Sequence, residues 1–281
     1  NILSVIISLF QADILISGGG SLLQDVTSKK SLMYYSFVIK FAQLLKKPVI
    51  IFAQGIGPLI NKSSRNSVIK MLSQCALVTV RDVNSFKFLQ ANNVQAVLVS
   101  DPVFSVDLPT GETEETVGVQ LRDFKSLDDK FLFNLAQYIV LNFGEKLIEL
   151  YVFQYKIDYD ICKKFEKMLK TIYPQIKVKI IHSLSQNDII TKISRLEYMI
   201  AMRFHAVLVA IKTGVKTLAI NYDAKVAALA YDAYLPLLTM DSEQDFETPF
   251  ERLKQLNPQD LLYYSSKQKF EWEYYDEFFE N

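Results

Sequence analysis

The sequence contains few of the residues that build disulfide frameworks and metal sites. Only two cysteines and two histidines occur among its 281 residues. Cys75 and Cys162 lie far apart within apolar helical patterns, and His182 and His205 are equally isolated. This spacing excludes a disulfide-bonded scaffold and a Cys/His metal cluster. We therefore expect no bound metal and a protein suited to the reducing cytoplasm.

A charge imbalance and long apolar runs are also missing. The 31 Lys and Arg residues balance 31 Asp and Glu residues, which gives a formal net charge of zero. Such a balance argues against a broad nucleic-acid surface. No apolar run reaches the 18 or so residues that a membrane span requires. Because half of the residues are hydrophobic, we expect a soluble globular protein with substantial cores, no nucleic-acid partner and no transmembrane segment.

Short β-branched runs alternate with longer helical patterns along nearly the whole chain. This alternation predicts an α/β fold whose parallel sheets are covered by helices on both faces. The predicted strands are residues 13–17, 49–53, 77–80 and 96–99 in the first half and residues 117–121, 150–153, 178–181, 198–201 and 217–220 in the second.

The length favours two domains. A polar stretch with Pro and Gly, residues 107–116, is typical of an interdomain linker. We therefore predict an N-terminal domain at residues 1–106 and a C-terminal domain at residues 117–245. Residues 246–281 form an acidic, aromatic and helical tail that should pack on a domain. The chain opens within an apolar pattern, without Met or a signal peptide, so we expect the natural N-terminus to precede residue 1.

Glycine is scarce and clustered. Five of nine glycines fall in residues 18–20 and 55–57, each directly after a predicted strand. Ligands bind beyond the carboxyl ends of parallel strands, where glycine allows the backbone to bend or approach them closely. Two tight turns are the alternative, and neither segment matches a dinucleotide fingerprint or a P-loop. Nearby polar side chains suit sugar hydroxyls, which predicts an acceptor site formed by Gly19, Gly20, Gln24, Asp25, Gln54 and Gly55.

Arginine is scarce as well, with six residues against 25 lysines. Arg81, Arg122 and Arg203 each follow a predicted strand. Asp82 can cap the next helix and pair with Arg81, which favours a structural role for this pair. Arg122 is suited to recognise a carboxylate or phosphate, although its neighbour Asp123 can also neutralise it.

The strongest local signal is the segment Met202-Arg203-Phe204-His205-Ala206, where a predicted strand ends and a helix begins. A helix N-terminus attracts anions, and Arg203 supplies a second anchor. His205 can exchange a proton near neutral pH. A single histidine is often structural, but its proximity to Arg203 favours anion binding combined with acid–base chemistry. We expect His182 to lie in the core or to line a cleft.

Taken together, these motifs resemble the polysaccharide pyruvyl transferase family, of the CsaB type that modifies bacterial cell walls and exopolysaccharides. Ala53 and Ala224 depart mildly from the family pattern, which often has Gly and Pro there. Several motifs in this order are specific, whereas none is specific alone. The matching stretches are residues 16–25, 27–28, 34–35, 54–58, 80–82, 85, 101–102, 202–206, 214–215 and 222–226.

The resemblance implies two Rossmann-like domains around a cleft, as in GT-B glycosyltransferases, with the first strand of the N-terminal domain missing before residue 1. It implies transfer of pyruvate from phosphoenolpyruvate to two hydroxyls of a cell-wall or exopolysaccharide sugar as a cyclic ketal. The implied donor site is Arg122, Arg203, Phe204 and His205, with Arg203 and His205 catalytic. Phosphoenolpyruvate is a co-substrate, no cofactor is implied, and a lipid-linked glycan acceptor would be met at the cytoplasmic membrane surface.

Two other functions are compatible with the same residues. A glycosyltransferase of this fold would bind the diphosphate of a nucleotide sugar with Arg203 and the following helix. A non-catalytic relative would bind carbohydrate without releasing phosphate. Binding of phosphoenolpyruvate or of a uridine nucleotide distinguishes these possibilities.

Overall fold

The computed structural model describes residues 2–26, 28–109 and 111–279. The five other positions, which include Thr27 of one family-like stretch and Thr110 of the predicted linker, lie outside the described residues. The chain forms two compact units. The first comprises Asn1–Pro102 and Lys269–Asn281, and the second comprises Val103–Gln268.

The first unit is built on a four-stranded parallel sheet in the order β1-β2-β3-β4. Three of its helices begin at side chains that accept backbone N–H groups, namely Ser28, Asn61 and Asp82. The elements in chain order are α1 (Ile2–Gln11), β1 (Leu15–Gly18), α2 (Lys29–Leu44), β2 (Val49–Gln54), α3 (Lys62–Leu72), β3 (Leu77–Val80), α4 (Val83–Gln90) and β4 (Val97–Leu98).

The second unit contains a six-stranded parallel sheet. A 3-10 helix (Pro102–Ser105) precedes it. The elements are β5 (Glu114–Gln120), α5 (Asp129–Phe143), β6 (Leu147–Tyr151), α6 (Tyr155–Ile172), β7 (Val178–Ile181), α7 (Gln186–Ile193), β8 (Leu196–Ala201), α8 (Phe204–Lys212), β9 (Lys216–Ile220), α9 (Ala224–Asp232), β10 (Leu237–Leu238), α10 (Glu247–Gln255) and α11 (Pro258–Lys267).

The strand order of this second sheet positions its candidate site. The order β10-β9-β8-β5-β6-β7 is that of a Rossmann fold, in which the chain first builds one half of the sheet outward from β5 and then crosses to build the other half from β8. Ligands of such sheets bind beyond the carboxyl ends of the two strands where the order reverses. In this unit these strands are β5 and β8.

The last residues of the chain return to the first unit. Phe270, which precedes the short helix α12 (Glu273–Asp276), and Tyr275, which lies within it, are buried. Their rings lie 5.3 and 5.0 Å from the ring of Phe52 on β2. The Tyr275 hydroxyl lies 2.7 Å from the Thr79 hydroxyl on β3. Burial of aromatic rings with a satisfied hydroxyl therefore fixes residues 270–275 on this sheet.

The boundaries between units differ from those predicted. The chain leaves the first unit after Pro102, and both Phe104 and Leu108 pack into the apolar core of the second unit. Strand β5 begins at Glu114, inside the predicted linker. The predicted tail is divided, because α10 and α11 belong to the second unit and residues from Lys269 onward belong to the first. Burial of scattered apolar side chains outweighs the polar composition of residues 107–116.

Both sheets confirm the predicted α/β class with parallel strands. Strand β2 is buried along nearly its whole length, which fits a strand covered by helices on both faces. No helix among the described residues is both long and apolar enough to cross a membrane.

Candidate functional site

Gln120, the last residue of β5, organises the point where the strand order reverses. Its side chain is fully buried. Its backbone carbonyl accepts the N–H of Met202 at 3.0 Å, and its side-chain oxygen accepts the N–H of Arg203 at 2.8 Å. Gln120 also donates from Nε2 to the carbonyl of Leu121 at 2.8 Å. The end of β5 thus fixes the backbone of the segment that follows β8.

Arg203 is the N-cap residue of α8, and a buried carboxylate holds its side chain. Nε and Nη2 donate to the two oxygens of Asp158 at 3.1 and 2.6 Å, and Nη2 also donates to Oε1 of Gln154 at 3.1 Å. Asp158 is fully buried, whereas the Arg203 side chain is 13% exposed. The two-point contact fixes the plane of the guanidinium, and no described residue accepts a hydrogen bond from Nη1.

Asp158 connects two loops at this edge of the sheet. Besides Arg203, it accepts the backbone N–H groups of Phe153 and Gln154 at 3.0 and 2.8 Å. These residues follow β6, so one carboxylate couples the loop after β6 to the segment after β8. The buried charge is thereby compensated by a cation and two amides.

Gln120, Gln154 and Asp158 were not among the residues predicted from the sequence. Asp158 carried a detectable signal, because it lies on the buried face of α6 with Ile161, Cys162 and Phe165. A carboxylate at that position of an amphipathic helix needs a partner in the interior. No comparable pattern marks Gln120 or Gln154, since their roles depend on strand pairing.

Arg122 lies two residues beyond the end of β5. Its guanidinium carbon is 5.6 Å from the centre of the Tyr222 ring, and its backbone N–H approaches the sulfur of Met202 at 3.3 Å. Its Nε is buried and has no hydrogen-bond partner among the described residues. A buried donor without an acceptor is uncommon, and an anionic ligand is one group that would satisfy it.

His205 is exposed in the first turn of α8, with its ring edge-on to Phe204 at 5.4 Å. The helix begins at Phe204, so Phe204 and His205 are part of its N-terminal turn. His182 is exposed just beyond β7 and lies edge-on to Tyr155 and Tyr159 at 5.8 and 5.6 Å. The expectation that His182 lies in the core is wrong, because β7 ends one residue before it.

The two glycine segments of the first unit lie side by side beyond β1 and β2. The N–H of Gly55 donates to the carbonyl of Gly20 at 3.0 Å, and the N–H of Gly57 donates to that of Leu23 at 2.8 Å. Gly19 and Gly20 have φ of 81° and 60°, and a Cβ at either would meet nothing within 4 Å. Their backbone conformation, and not crowding, therefore requires glycine.

The remaining predicted acceptor residues have mainly structural contacts. The Asp25 carboxylate accepts the N–H groups of Ile60 and Asn61 at 2.8 and 3.0 Å. Gln54 is fully buried and donates to the carbonyl and hydroxyl oxygens of Ser17, while its own Oε1 is buried without a partner among the described residues. The Gln24 side chain is half-buried, and its Oε1 accepts the N–H of Val26 at 3.0 Å.

The contacts of Asp25 predict an acid-sensitive loop. The N–H of Ile60, followed by those of other donors, holds the pKa of Asp25 below its ordinary value. A lowered folded-state pKa stabilises the protein above the unfolded value of about 3.9, and this contribution is lost as the pH falls through the folded-state pKa. We expect the melting temperature of Asp25→Asn to fall less steeply than that of the native chain as the pH drops below about 4. An unchanged pH profile in the variant would contradict this role for Asp25.

A family comparison identifies the chain. The model of the polysaccharide pyruvyl transferase family matches residues 2–224. The chain belongs to this family. The matched region contains both glycine segments, Arg122, Asp158 and the Arg203–His205 segment. No curated protein sequence gave a match to the chain.

Solved structures similar to this family member show the same fold at low sequence identity. UDP-GlcNAc 2-epimerase from Methanocaldococcus jannaschii has a TM-score of 0.61 at 12% identity, covering 96% of this chain and 76% of that one. The enzyme from Rickettsia bellii has a TM-score of 0.62 at 10% identity, covering 95% and 73%. The Neisseria meningitidis enzyme, bound to UDP-GlcNAc, has a TM-score of 0.58 at 11% identity, covering 96% and 75%. These similarities support a GT-B-like architecture.

The Arg81-Asp82 motif of this pyruvyl transferase family member is structural. Asp82 caps α4 by accepting the N–H of Ser85 at 2.8 Å, as predicted. The Ser85 hydroxyl in turn accepts the N–H of Ile56 at 2.7 Å and thereby positions the second glycine segment. Arg81 forms a buried ion pair with Asp101.

Among the described residues, no group of three or more His, Cys, Asp or Glu side chains is arranged to hold a metal ion.

Proposed function

We propose that this protein transfers pyruvate from phosphoenolpyruvate onto two hydroxyls of a cell-wall or exopolysaccharide sugar, forming a cyclic ketal. Membership of the family supports a transferase that acts on polysaccharide. The choice of phosphoenolpyruvate as the donor rests on two arginines that lie where the strand order reverses, between β5 and β8. Arg203 is fixed by Asp158, and Arg122 has a buried Nε without an acceptor.

Phosphoenolpyruvate carries a carboxylate and a phosphate on the same carbon atom. Two guanidinium groups beyond the ends of neighbouring strands, together with the N-terminal turn of α8, are suited to such a compact anion. Asp158 occupies the Nε side of Arg203, so the Nη1 side remains for the ligand. Phe204, with its ring against His205, completes the donor site.

His205 supplies the proton in the proposed reaction. Its imidazolium protonates the methylene carbon of phosphoenolpyruvate, converting that carbon to a methyl group and leaving the central carbon electron-deficient. A sugar hydroxyl forms a bond to the central carbon and loses its proton to the imidazole. The bond from this carbon to the phosphate oxygen then breaks, and inorganic phosphate leaves with the electron pair. The second hydroxyl closes the ketal and gives its proton to the departing phosphate. Arg122 and Arg203 stabilise the charge that develops on the departing phosphate.

We assign the acceptor to the first unit, at Gly19, Gly20, Gln24, Asp25, Gln54 and Gly55. Gly19 and Gly20 present backbone close to solvent, and the Gln24 side chain is half-buried. Asp25, Gln54 and Gly55 shape the loops that carry them. The proposal includes no cofactor or metal, since proton transfer and charge stabilisation by these side chains complete the reaction. It places the reaction in the cytoplasm, with a glycan that is free or lipid-linked at the membrane surface.

Ligand-dependent thermal stability tests this proposal. A ligand that binds only the folded state raises the melting temperature. We expect phosphoenolpyruvate, but neither UDP nor CMP, to raise it in the native chain, and we expect the Arg203→Ala variant to lose the shift. Arg252→Ala is the matched control, because Arg252 is an exposed arginine of the same unit on α10. A shift with UDP alone would favour a glycosyltransferase, and sugar binding without a donor shift would favour a non-catalytic protein.

A further inference from the structure

Helix α2 is apolar on its solvent-facing side as well as on its buried side. Leu32, Ile39 and Ala42 are buried against the first unit. On the outward face, the side chains of Met33 and Leu44 are 70% and 75% exposed. A helix at the surface of a globular domain normally presents polar residues to water.

The outward side chains form a continuous surface with the neighbouring helix α3. Residues 33, 37, 41 and 44 follow the three- and four-residue spacing of one helix face, and the rings of Phe37 and Phe41 stack at 5.7 Å. They line an open groove of about 510 Å³ whose other wall includes Val68 of α3. Lys40 crosses it and donates to the Ser67 hydroxyl at 2.8 Å. We call this the α2–α3 surface, formed by Met33, Phe37, Lys40, Phe41, Leu44 and Val68.

The segment that carries the α2–α3 surface has charges of one sign. Residues 28–72 contain eight Lys and Arg residues and no Asp or Glu, which leaves 23 Lys and Arg against 31 Asp and Glu in the rest of the chain. Each of the eight is at least partly exposed, and none forms an ion pair with another described residue. They are Lys29, Lys30, Lys40, Lys46, Lys47, Lys62, Arg65 and Lys70.

We propose that the α2–α3 surface binds the face of an anionic lipid bilayer. Apolar side chains flanked by lysines are the combination that inserts into the headgroup region and attracts anionic lipids. A second copy of the chain fits less well, because two surfaces with this excess of positive charge repel each other. This proposal rests on exposure and charge and holds whichever reaction the protein catalyses. It also brings the first unit to the place where a lipid-linked glycan is found.

Sedimentation with lipid vesicles tests the proposal. We expect the native chain to bind vesicles of mixed phosphatidylglycerol and phosphatidylcholine, to bind pure phosphatidylcholine at least about tenfold more weakly, and to dissociate as salt is raised. Leu44→Glu should weaken binding to the anionic vesicles by about tenfold or more, since it places a carboxylate in the apolar surface. Leu141→Glu is the matched control, because Leu141 is 77% exposed on α5 of the second unit.

A second pair of variants tests the charges separately. Lys29→Gln with Lys30→Gln should weaken binding to anionic vesicles, whereas Lys163→Gln with Lys164→Gln on α6 should not. Circular dichroism and melting temperature establish that all variants fold. Equal binding to neutral and anionic vesicles, or equal effects of Leu44→Glu and Leu141→Glu, would overturn the proposal. So would a dimer of the native chain in light scattering that Leu44→Glu dissociates while vesicle binding is absent.

Discussion

Replacing His205 with Ala should reduce kcat for ketal formation by about 10²–10⁴-fold, the usual contribution of a positioned general acid–base group. His205 is exposed in the first turn of α8 and is not a packing residue. The dissociation constant for phosphoenolpyruvate should therefore change by less than about threefold, since the proposed donor site relies on Arg122 and Arg203 and one exposed contact contributes little to binding. The measurement is steady-state kinetics together with direct titration of the donor.

His182→Ala is the control that the chain itself offers. His182 is the only other histidine, and like His205 it is exposed beyond the carboxyl end of a strand of the second sheet and contacts aromatic rings edge-on. It lies beyond β7, two strands away from β5 in the sheet. We expect His182→Ala to keep kcat within about twofold, because a surface substitution away from the site changes little. Equal losses in both variants, or full activity of His205→Ala, would contradict the assignment.

The second large effect is expected at Asp158. Asp158→Asn leaves the Arg203 guanidinium, whose side chain is 13% exposed, without its charged partner. Removing one member of a buried ion pair costs about 3–5 kcal/mol of unfolding free energy, and we expect a loss near the lower end because Asn keeps one acceptor oxygen. Binding of phosphoenolpyruvate should weaken by about tenfold or more, since the guanidinium is no longer held in one plane. Urea unfolding and donor titration measure the two effects.

The Lys130–Glu243 ion pair is the matched control for stability, because its side chains are 60% and 72% exposed. Glu243→Gln should change the unfolding free energy by less than about 1 kcal/mol. A double-mutant cycle of Asp158→Asn with Arg203→Gln then isolates the pair. We expect a strongly non-additive result, because either single substitution already breaks the interaction. Additive effects would show that Asp158 acts on stability without acting through Arg203.

The strands could be predicted from local patterns. The nine predicted strands correspond to β1–β9, because buried parallel strands are continuous apolar runs that composition reveals. The short strand β10 was missed, since two leucines give no periodicity. Arg122 and Arg203 were singled out because each follows a predicted strand, and the strand order places both where the order reverses, between β5 and β8.

The groups that position those residues could not be predicted in the same way. Gln120 accepts a hydrogen bond from Arg203, which lies 83 residues further along the chain, and Asp158 accepts one from Arg203 at a separation of 45 residues. Such contacts exist only once β5, β6 and β8 are aligned. The domain boundary was mispredicted for a similar reason. Phe104 and Leu108 pack into the core of the second unit although the sequence around them is polar.

The sequence also could not show which of the predicted acceptor residues are structural. Asp25 and Gln54 are polar residues in glycine-rich loops, and that pattern does not distinguish a residue that contacts a ligand from one that holds the loop. The structure shows that their side chains bind backbone groups of Ile60, Asn61 and Ser17. The acceptor site proposed for the first unit therefore depends most on Gly19, Gly20 and Gln24.

The most direct test of the account is calorimetric titration of phosphoenolpyruvate into the native chain and into Arg122→Ala. We expect one donor molecule to bind per native chain. Binding to the variant should be at least about tenfold weaker, because the variant lacks the buried Nε that has no protein acceptor among the described residues. Arg252→Ala should bind like the native chain. Binding of UDP in place of phosphoenolpyruvate, or donor binding unaffected by Arg122→Ala, would contradict the account.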